Sequence, residues 1–234
     1  MFAKIESRAM YGISAYRVDV EVDLAAGIRS FTIVGLPDAA CRESSKRVMA
    51  ALKNSGHMLP SMKITVNLAP AYLKKEGSIH DLAIALGVLT ALNKIDKELL
   101  ENKVACGELS LDGGLKPNKG ALPIADGLKS HEGKILILPA ANLQEASFIK
   151  KVRAIGVRNL NEAIEYITKG IFPLSASPSP LPKPAPKPDG LDFSDIKGNY
   201  NAKRALEIAV CGGHNILMTC FQYHQLRLRQ SCFQ

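Results

Sequence analysis

The sequence predicts an α/β fold for most of the chain, followed by a proline-rich linker and the start of a second domain. Segments with the period of β-strands alternate with segments of helical period through residues 1–171. Seven of the thirteen prolines fall within residues 173–188, and this density predicts an extended polyproline-II spacer rather than a packed core. The chain has 234 residues, enough for one sizeable core and a smaller part.

The predicted strands and helices follow one another with short connections. Residues 14–23 alternate apolar and polar side chains, and residues 31–34 are a second β-rich run. Asp38 is placed to cap a helix that runs to about Asn54, where Ser55 and a glycine stop it. The other predicted strands are residues 62–68, 103–109, 135–138 and 152–157, and the other predicted helices are residues 81–92, 122–130, 140–149 and 161–168.

A second domain begins after the linker. Residues 191–198 lead into a predicted helix at 201–210, and two glycines end that helix. Residues 215–218 are apolar and predict a buried strand. The residues that remain for this second domain are not enough to form an independent core.

Composition and residue spacing exclude several classes of protein and site. No apolar run approaches the ~20 residues that cross a bilayer, and the first residues have no apolar signal core, which predicts a cytoplasmic location without membrane contact. Five cysteines without CxxC spacing favour buried or incidental thiols over disulfides or zinc. The histidines show no spacing typical of metal ligands, so no metal site is expected; they are His57, His80, His131, His214 and His224.

Several runs of residues, in a fixed order, resemble one family over about residues 1–218. They are residues 20–23, 31–38, 50–56, 64–71, 75–78, 81–82 and 107–113. Together they resemble the YifB/ComM-like proteins, the bacterial magnesium-chelatase-like AAA+ group. The resemblance implies a Lon-protease-like domain at residues 1–171, a Pro-rich linker at 172–190 and the start of an AAA+ ATPase module at 191–218.

The same resemblance implies a function for full-length members of the family. They are hexameric ATPases that use ATP and Mg²⁺, and ComM-like members are implicated in DNA branch migration during natural transformation. By resemblance, Ile196, Gly198 and Asn199 lie at the entrance of the nucleotide pocket. Asn199 stands where the family usually has Gln, a mild departure, and the entrance is expected to be vestigial because no phosphate-binding loop follows Met218.

The sequence departs from the family where a phosphate-binding loop should start. A P-loop needs the pattern G-x-x-x-x-G-K-[ST], because its backbone N–H groups and its lysine hold the phosphates. Residues 219–234 contain neither Gly nor Lys. We therefore expect an incomplete ATPase module without a nucleotide cofactor, and an aberrant tail at 219–234 that a frameshift or a premature end would explain.

A serine peptidase of the Lon type is the first alternative function. Such chemistry needs a serine that a lysine activates. In the register of the resemblance, Ile79 occupies the serine position, Ser78 the preceding position and Leu122 the lysine position. Both catalytic groups are thus expected to be absent, and Ser78 has the spacing of a helix capping box with Asp81.

A basic stripe is the second candidate site. At 100° per residue, Arg42, Lys46 and Lys53 fall on one side of the first predicted helix, and Lys74 and Lys75 add charge at a loop. Basic stripes can follow phosphates without reading bases. The stripe is either a solvated helix face or a contact with DNA or a neighbouring subunit, and the net charge of +8 permits each of these.

These observations give one interpretation and one alternative. The chain is interpreted as a truncated, non-catalytic part of a ComM-like DNA-processing ATPase, in which this domain serves assembly or DNA contact. The alternative is a free-standing binding or regulatory module that joins intact family members.

Overall fold

The computed structural model describes residues 1–171, 173 and 192–219. Its strands are β1 (Phe2–Tyr11), β2 (Ser14–Ala26), β3 (Ser30–Val34), β4 (Met62–Ala69), β5 (Lys103–Ala105), β6 (Glu108–Leu109), β7 (Leu115–Lys116), β8 (Ile135–Pro139) and β9 (Arg153–Val157). Its α-helices are α1 (Ala39–Asn54), α2 (Asp81–Ala91), α3 (Ala121–Asp126), α4 (Leu143–Ala146), α5 (Leu160–Lys169) and α6 (Tyr200–Gly212), with 3₁₀ turns at Lys97–Leu100, Ala140–Asn142 and Phe193–Asp195.

A seven-stranded mixed sheet organises the first part of the chain and confirms the α/β prediction. The strand order is β3-β4-β2-β1-β5-β8-β9. β2 is antiparallel to both of its neighbours, whereas the other four pairings are parallel. β6 and β7 form a separate two-stranded ribbon. The sheet is therefore mostly parallel, with one antiparallel hairpin, β1–β2, at its centre.

Helix α2 is the centre of the core. All eleven of its residues are buried, and the helix packs against β1 and β2. A Cβ on Gly87 would lie 2.8 Å from Cγ2 of Val22, so only glycine lets the helix approach β2 this closely. The hydrophobic burial of a whole helix explains why its sequence is apolar on every side.

Helix α1 begins where the sequence predicts it. The Asp38 carboxylate accepts a hydrogen bond of 2.7 Å from the backbone N–H of Cys41 and so caps the helix. Just before it, Gly35 has φ +98° and a Cβ there would lie 2.3 Å from the carbonyl oxygen of Leu68. The turn from β3 into α1 therefore requires glycine at this position.

Some predicted elements are shorter or divided in the structure. The strand predicted at 103–109 is two strands, β5 and β6, because the chain turns between them at Gly107, whose backbone lies against Leu82 and Leu115. The helix predicted at 122–130 ends at Asp126, and the one predicted at 140–149 is a 3₁₀ turn followed by a single α-helical turn. The sequence analysis also missed β1 and β7.

The carboxy-terminal part forms a separate unit, since the chain divides at residue 181. Asp192 and Asp195 cap the 3₁₀ turn Phe193–Asp195 reciprocally. Helix α6 is two residues longer than predicted at its carboxyl end. The strand predicted at 215–218 is wrong, because these residues have no regular secondary structure. A buried strand needs a neighbouring strand, and the described residues 192–219 contain none. The predicted linker and tail lie largely outside the described residues, and the predicted domain boundaries stay predictions.

Candidate functional site

The basic stripe lies on the solvent side of α1. Arg42, Lys46 and Lys53 are exposed, as the helical periodicity predicts. Arg42 donates a hydrogen bond of 3.1 Å to the carbonyl oxygen of Pro37, which holds its guanidinium near the start of the helix. Within the described residues, the ammonium groups of Lys46 and Lys53 have no ion-pair partner. Their charge is therefore available to a binding partner.

The same two lysines border a groove that the sequence analysis missed. The groove lies between α1, the start of β3 and β4, and the loop before β4, and its volume is about 500 Å³. Its lining is mostly apolar and consists of Arg29, Ser30, Lys46, Met49, Ala50, Lys53, Met58, Leu59, Pro60, Met62 and Ile64. Met49 falls within the basic stripe at helical spacing, and this was the signal available in the sequence.

The loop lysines differ from the prediction. Lys74 is exposed, but its ammonium pairs with Glu76 at 2.9 Å. Lys75 is fully buried, and its ammonium donates to the carbonyl oxygen of Pro70. The prediction that Lys75 adds to the basic surface is wrong, because a buried ammonium is out of reach of phosphates.

The backbone of Lys75 explains its burial. Its N–H donates to the carbonyl of Leu36 at 3.1 Å, and its own carbonyl accepts from Asp38 N–H at 2.9 Å. These two bonds join the loop to the turn before α1, which directs the Lys75 side chain inward. Burial lowers the pKa of Lys75. The burial of Cys41, which lies nearby, raises the pKa of its thiol to about 12. This thiol is therefore not a reactive nucleophile.

Ser78 does not cap α2. The residue before that helix is His80, which makes no side-chain capping bond, and Ser78 Oγ donates instead to the Glu108 carboxylate. The capping-box prediction is therefore wrong, because the helix begins at Asp81 with His80 as its N-cap, so Ser78 lies before the capping position. Ser78 and Glu108 face a concavity of about 390 Å³ whose lining also includes Lys119.

The two positions that correspond to a Lon-type catalytic pair hold apolar side chains. Ile79 is half-buried beside Ser78, and Leu122 is 38% exposed on α3. The Leu122 N–H donates to Glu145 Oε1 at 2.9 Å, so it is the backbone that takes part in hydrogen bonding there. Within the described residues, Ser78 has a carboxylate and not a lysine as its hydrogen-bond partner. This arrangement supplies no base of the Lon type.

Buried polar side chains connect β1 and α1 with the start of α2. Arg47 Nε donates to Asp81 Oδ2 at 2.8 Å, which joins α1 to α2. Burial raises the pKa of Asp81, while the bond from Arg47 opposes that rise. Ser7 Oγ lies 2.9 Å from His80 Nδ1, and burial, helped by Lys75, lowers the pKa of His80 to about 4. His80 is therefore neutral at physiological pH.

Ile196, Gly198 and Asn199, which the sequence analysis predicts to form a vestigial nucleotide-pocket entrance, lie in the second unit. Gly198 and Asn199 both have positive φ, at 72° and 52°, and α6 starts directly after them. Lys203 donates from its ammonium to the carbonyl of Ile196 and so closes the turn. The structure thus brings Ile196, Gly198 and Asn199 together in one helix-start turn. Their role toward a nucleotide stays a prediction.

Over the described ranges, 1–171, 173 and 192–219, two further kinds of feature were sought. No group of three or more His, Cys, Asp or Glu side chains is placed to hold a metal ion. No helix in the same ranges has the length and apolarity that a membrane span requires. The structure describes three of the five cysteines, and of these Cys41 and Cys106 are buried and Cys211 is exposed.

Two family models match the chain in regions that coincide with its two units. Residues 20–142 match the model described as subunit ChlI of Mg-chelatase, and residues 192–221 match the model described as magnesium chelatase, subunit ChlI. The first match runs from within β2 to the 3₁₀ turn after β8 and includes the helices α1 to α3. The second covers the turn at Gly198 and helix α6.

Comparison with curated proteins identifies relatives of the same kind. Competence protein ComM of Haemophilus influenzae is 36% identical over 223 residues, and YifB of Escherichia coli is 35% identical over 215 residues. Each alignment covers 92% of this chain and 42% of the relative, so the chain spans less than half the length of these relatives. Lon protease 2 of Bacillus subtilis is 26% identical over 182 residues, which cover 70% of this chain and 32% of the protease. With the mixed α/β fold and the ordered motifs, these matches place the chain in the YifB/ComM-like, magnesium-chelatase-like family.

Proposed function

We propose that the first unit is a non-catalytic contact domain of a ComM-like, DNA-processing AAA+ protein. The observation that carries the proposal is the stripe Arg42, Lys46 and Lys53, which presents exposed positive charge along one side of helix α1. ComM of Haemophilus influenzae is named as a competence protein, which supports a role near DNA. A cytoplasmic location fits that role.

The proposed absence of catalysis rests on two separate features. A Lon-type peptidase would need a serine at Ile79 and a lysine at Leu122, and the chain has neither. An ATPase would need a phosphate-binding loop soon after Met218, where residues 219–234 lack both Gly and Lys. We therefore expect no peptidase activity and no ATP binding from this chain. Calorimetry that gives a micromolar ATP complex would contradict the second expectation.

The proposed contact with DNA uses phosphates and not bases. Three exposed cations on one helix can neutralise about three phosphates, which gives a log–log salt slope of roughly −2 to −3 on duplex DNA. Binding should also be insensitive to sequence, since phosphate contacts carry no base information. Lys75 takes no part because it is buried.

Fluorescence anisotropy with a labelled duplex tests this proposal at several salt concentrations. The chain should be measured alone and fused to a hexamerising scaffold, because a ring multiplies contacts that one copy offers only once. Lys46→Glu should weaken binding to every duplex about equally. Lys151→Glu, at an exposed lysine away from the stripe, is the matched control. A fused hexamer that shows no salt-dependent binding, or that binds equally well with Lys46→Glu, would overturn the proposed DNA contact.

A free-standing regulatory module is the second candidate function. The observation that favours it is the incomplete ATPase pattern, which leaves the first unit as the larger folded part of this sequence. Such a module would join full-length relatives through the surfaces used for assembly. Mixing this chain with a full-length relative and measuring hexamer mass by native mass spectrometry distinguishes the two functions, since only a module of this kind enters the ring.

A further inference from the structure

The groove beside α1 has a composition that suits an anionic, apolar partner. Of its eleven lining residues, three are basic and none is acidic. The side chains between the cations are apolar, and they include Met49, Met58 and Met62. Met58 is exposed and Met49 and Met62 are half-buried, so the apolar floor retains surface that a partner could bury.

The cations are held in different ways. Arg29 donates from Nη2 to the carbonyl oxygen of Leu59 at 3.0 Å, which fixes its guanidinium against the loop that walls the groove. Lys46 and Lys53 stand on the helical wall without ion-pair partners among the described residues. A carboxylate on a partner would therefore gain a counter-ion without displacing an existing one.

The spacing of the two lysines limits the shape of the partner. They are seven residues apart on α1, which is two helical turns and a separation of about 10 Å along the axis. In a polyproline-II chain, which has three residues per turn and a rise of about 3.1 Å per residue, residues i and i+3 lie on the same side and about 9 Å apart. Two carboxylates three residues apart, with apolar side chains between them, would thus match both lysines and the apolar floor.

We propose that this groove is a docking site for a protein segment that carries two carboxylates about three residues apart with apolar side chains between them. The groove volume of about 500 Å³ accommodates two or three apolar side chains. Three methionines let the floor adapt to side chains of different shape. DNA can pair with the two lysines at the border, but it leaves the floor of the groove unfilled, because phosphates and sugars bring little apolar area.

Methyl NMR on the full chain, labelled with ¹³C at the methionine methyl groups, tests the proposal. Three of the six methionines line the groove, and Met1, Met10 and Met218 lie elsewhere, so the protein carries its own internal control. The probe is the amidated peptide Ser-Gly-Glu-Leu-Phe-Glu-Gly-Ser. Its matched controls are the same peptide with both Glu replaced by Gln, and the same peptide with Leu and Phe replaced by Ser.

The expected result is a saturable shift of the Met49, Met58 and Met62 methyl resonances by the probe, with each control peptide at least about tenfold weaker. Ala50→Phe fills the groove without changing charge and should abolish these shifts, whereas Lys151→Glu should leave them unchanged. Circular dichroism confirms that Ala50→Phe is folded. If Ala50→Phe does not fold, the exposed pair Lys46→Gln and Lys53→Gln replaces it and should weaken the probe about tenfold.

Three results would overturn the proposal. One is that the probe leaves the three groove methyls unmoved at millimolar concentration. Another is that the Ser-substituted acidic peptide shifts them as strongly, which would reduce the site to plain charge attraction. The third is that duplex DNA shifts the three groove methyls as strongly as the probe does, which would assign the apolar floor, and not only the lysines at its border, to nucleic acid.

Discussion

The two units of the chain differ in how their side chains are held. In residues 1–171, two clusters of buried apolar side chains enclose the sheet, and charged groups such as Asp81 and Arg47 pair inside that core. In residues 192–219, Ala209 is the single buried residue described, and the helix is held by its own turns and caps. The comparison shows that one unit has the tertiary burial that makes folding cooperative, while the other shows mainly local structure.

Truncation of a large apolar side chain should produce the largest difference in unfolding free energy between the two units. Leu86→Ala deletes a fully buried side chain at the centre of α2 and should lower the free energy of unfolding by about 2–5 kcal/mol. Leu217→Ala, at a residue 89% exposed, should change it by less than about 0.5 kcal/mol. Urea unfolding followed by far-UV circular dichroism measures both. Equal effects would mean that the second unit has a core of its own.

The pH dependence of stability should come from the first unit. The pKa of His80 is lowered to about 4 from an ordinary value of 6.5, so the unfolded chain binds more protons than the folded chain between these values. Its contribution is complete above pH 6.5 and is lost as pH falls through 4, by about 3 kcal/mol in total. In the variant His80→Gln, the urea midpoint should therefore depend less on pH between about pH 4 and 6.5.

A histidine of the second unit is the control for this experiment. His214 is exposed, so His214→Gln should leave the pH profile of the wild type intact. A profile that keeps its slope in His80→Gln would assign the pH dependence to carboxylates instead.

Loss of an ion pair should also destabilise the first unit more than the second, but the difference should be smaller than for the loss of core volume. Asp81→Asn removes a buried carboxylate that accepts hydrogen bonds from Arg47 and from the Leu109 N–H. The change should lower the free energy of unfolding by about 2 kcal/mol. Glu207→Gln removes the exposed partner of Arg204 and should cost less than about 0.5 kcal/mol. A double-mutant cycle on each pair measures the coupling. A coupling for the exposed pair as large as for the buried one would contradict the comparison.

The smallest expected effect is that of removing the second unit. Both clusters of buried apolar side chains lie within residues 3–167. A chain that ends at residue 171 should therefore keep the urea midpoint of the first unit within experimental error. A lower midpoint, at equal m-value, would show that residues after 171 stabilise the first unit.

The elements that could be predicted are those whose signals are local. Asp38, with its side-chain oxygen three residues from Cys41 N–H, defines the start of α1 without help from the rest of the fold. The exposure of Arg42, Lys46 and Lys53 follows from helical periodicity alone. The family could be identified because many short motifs occur in a fixed order.

The features that could not be predicted depend on contacts distant in sequence. Lys75 is buried because its backbone bonds to residues almost forty positions earlier, and a lysine in a loop gives no local sign of this. Ser78 bonds to Glu108, thirty residues later, and α2 begins beyond it with His80 as its N-cap, neither of which the local sequence indicates. The groove combines α1 with β4 and a loop, so its three methionines looked unrelated in the sequence.

The position of the β1–β2 hairpin at the centre of the sheet bears on how the protein is made. Its two strands pair residue by residue from Phe2 with Asp23 to Tyr11 with Ser14, so the paired residues are at most 21 positions apart in the chain. β3 and β4 complete one side of the sheet by residue 69, and β5, β8 and β9 then join the other side in the order of their synthesis. Among the later strands of this sheet, β3 waits for β4, and each of the others finds a neighbour already present, so the sheet can assemble during translation without waiting for its carboxyl end.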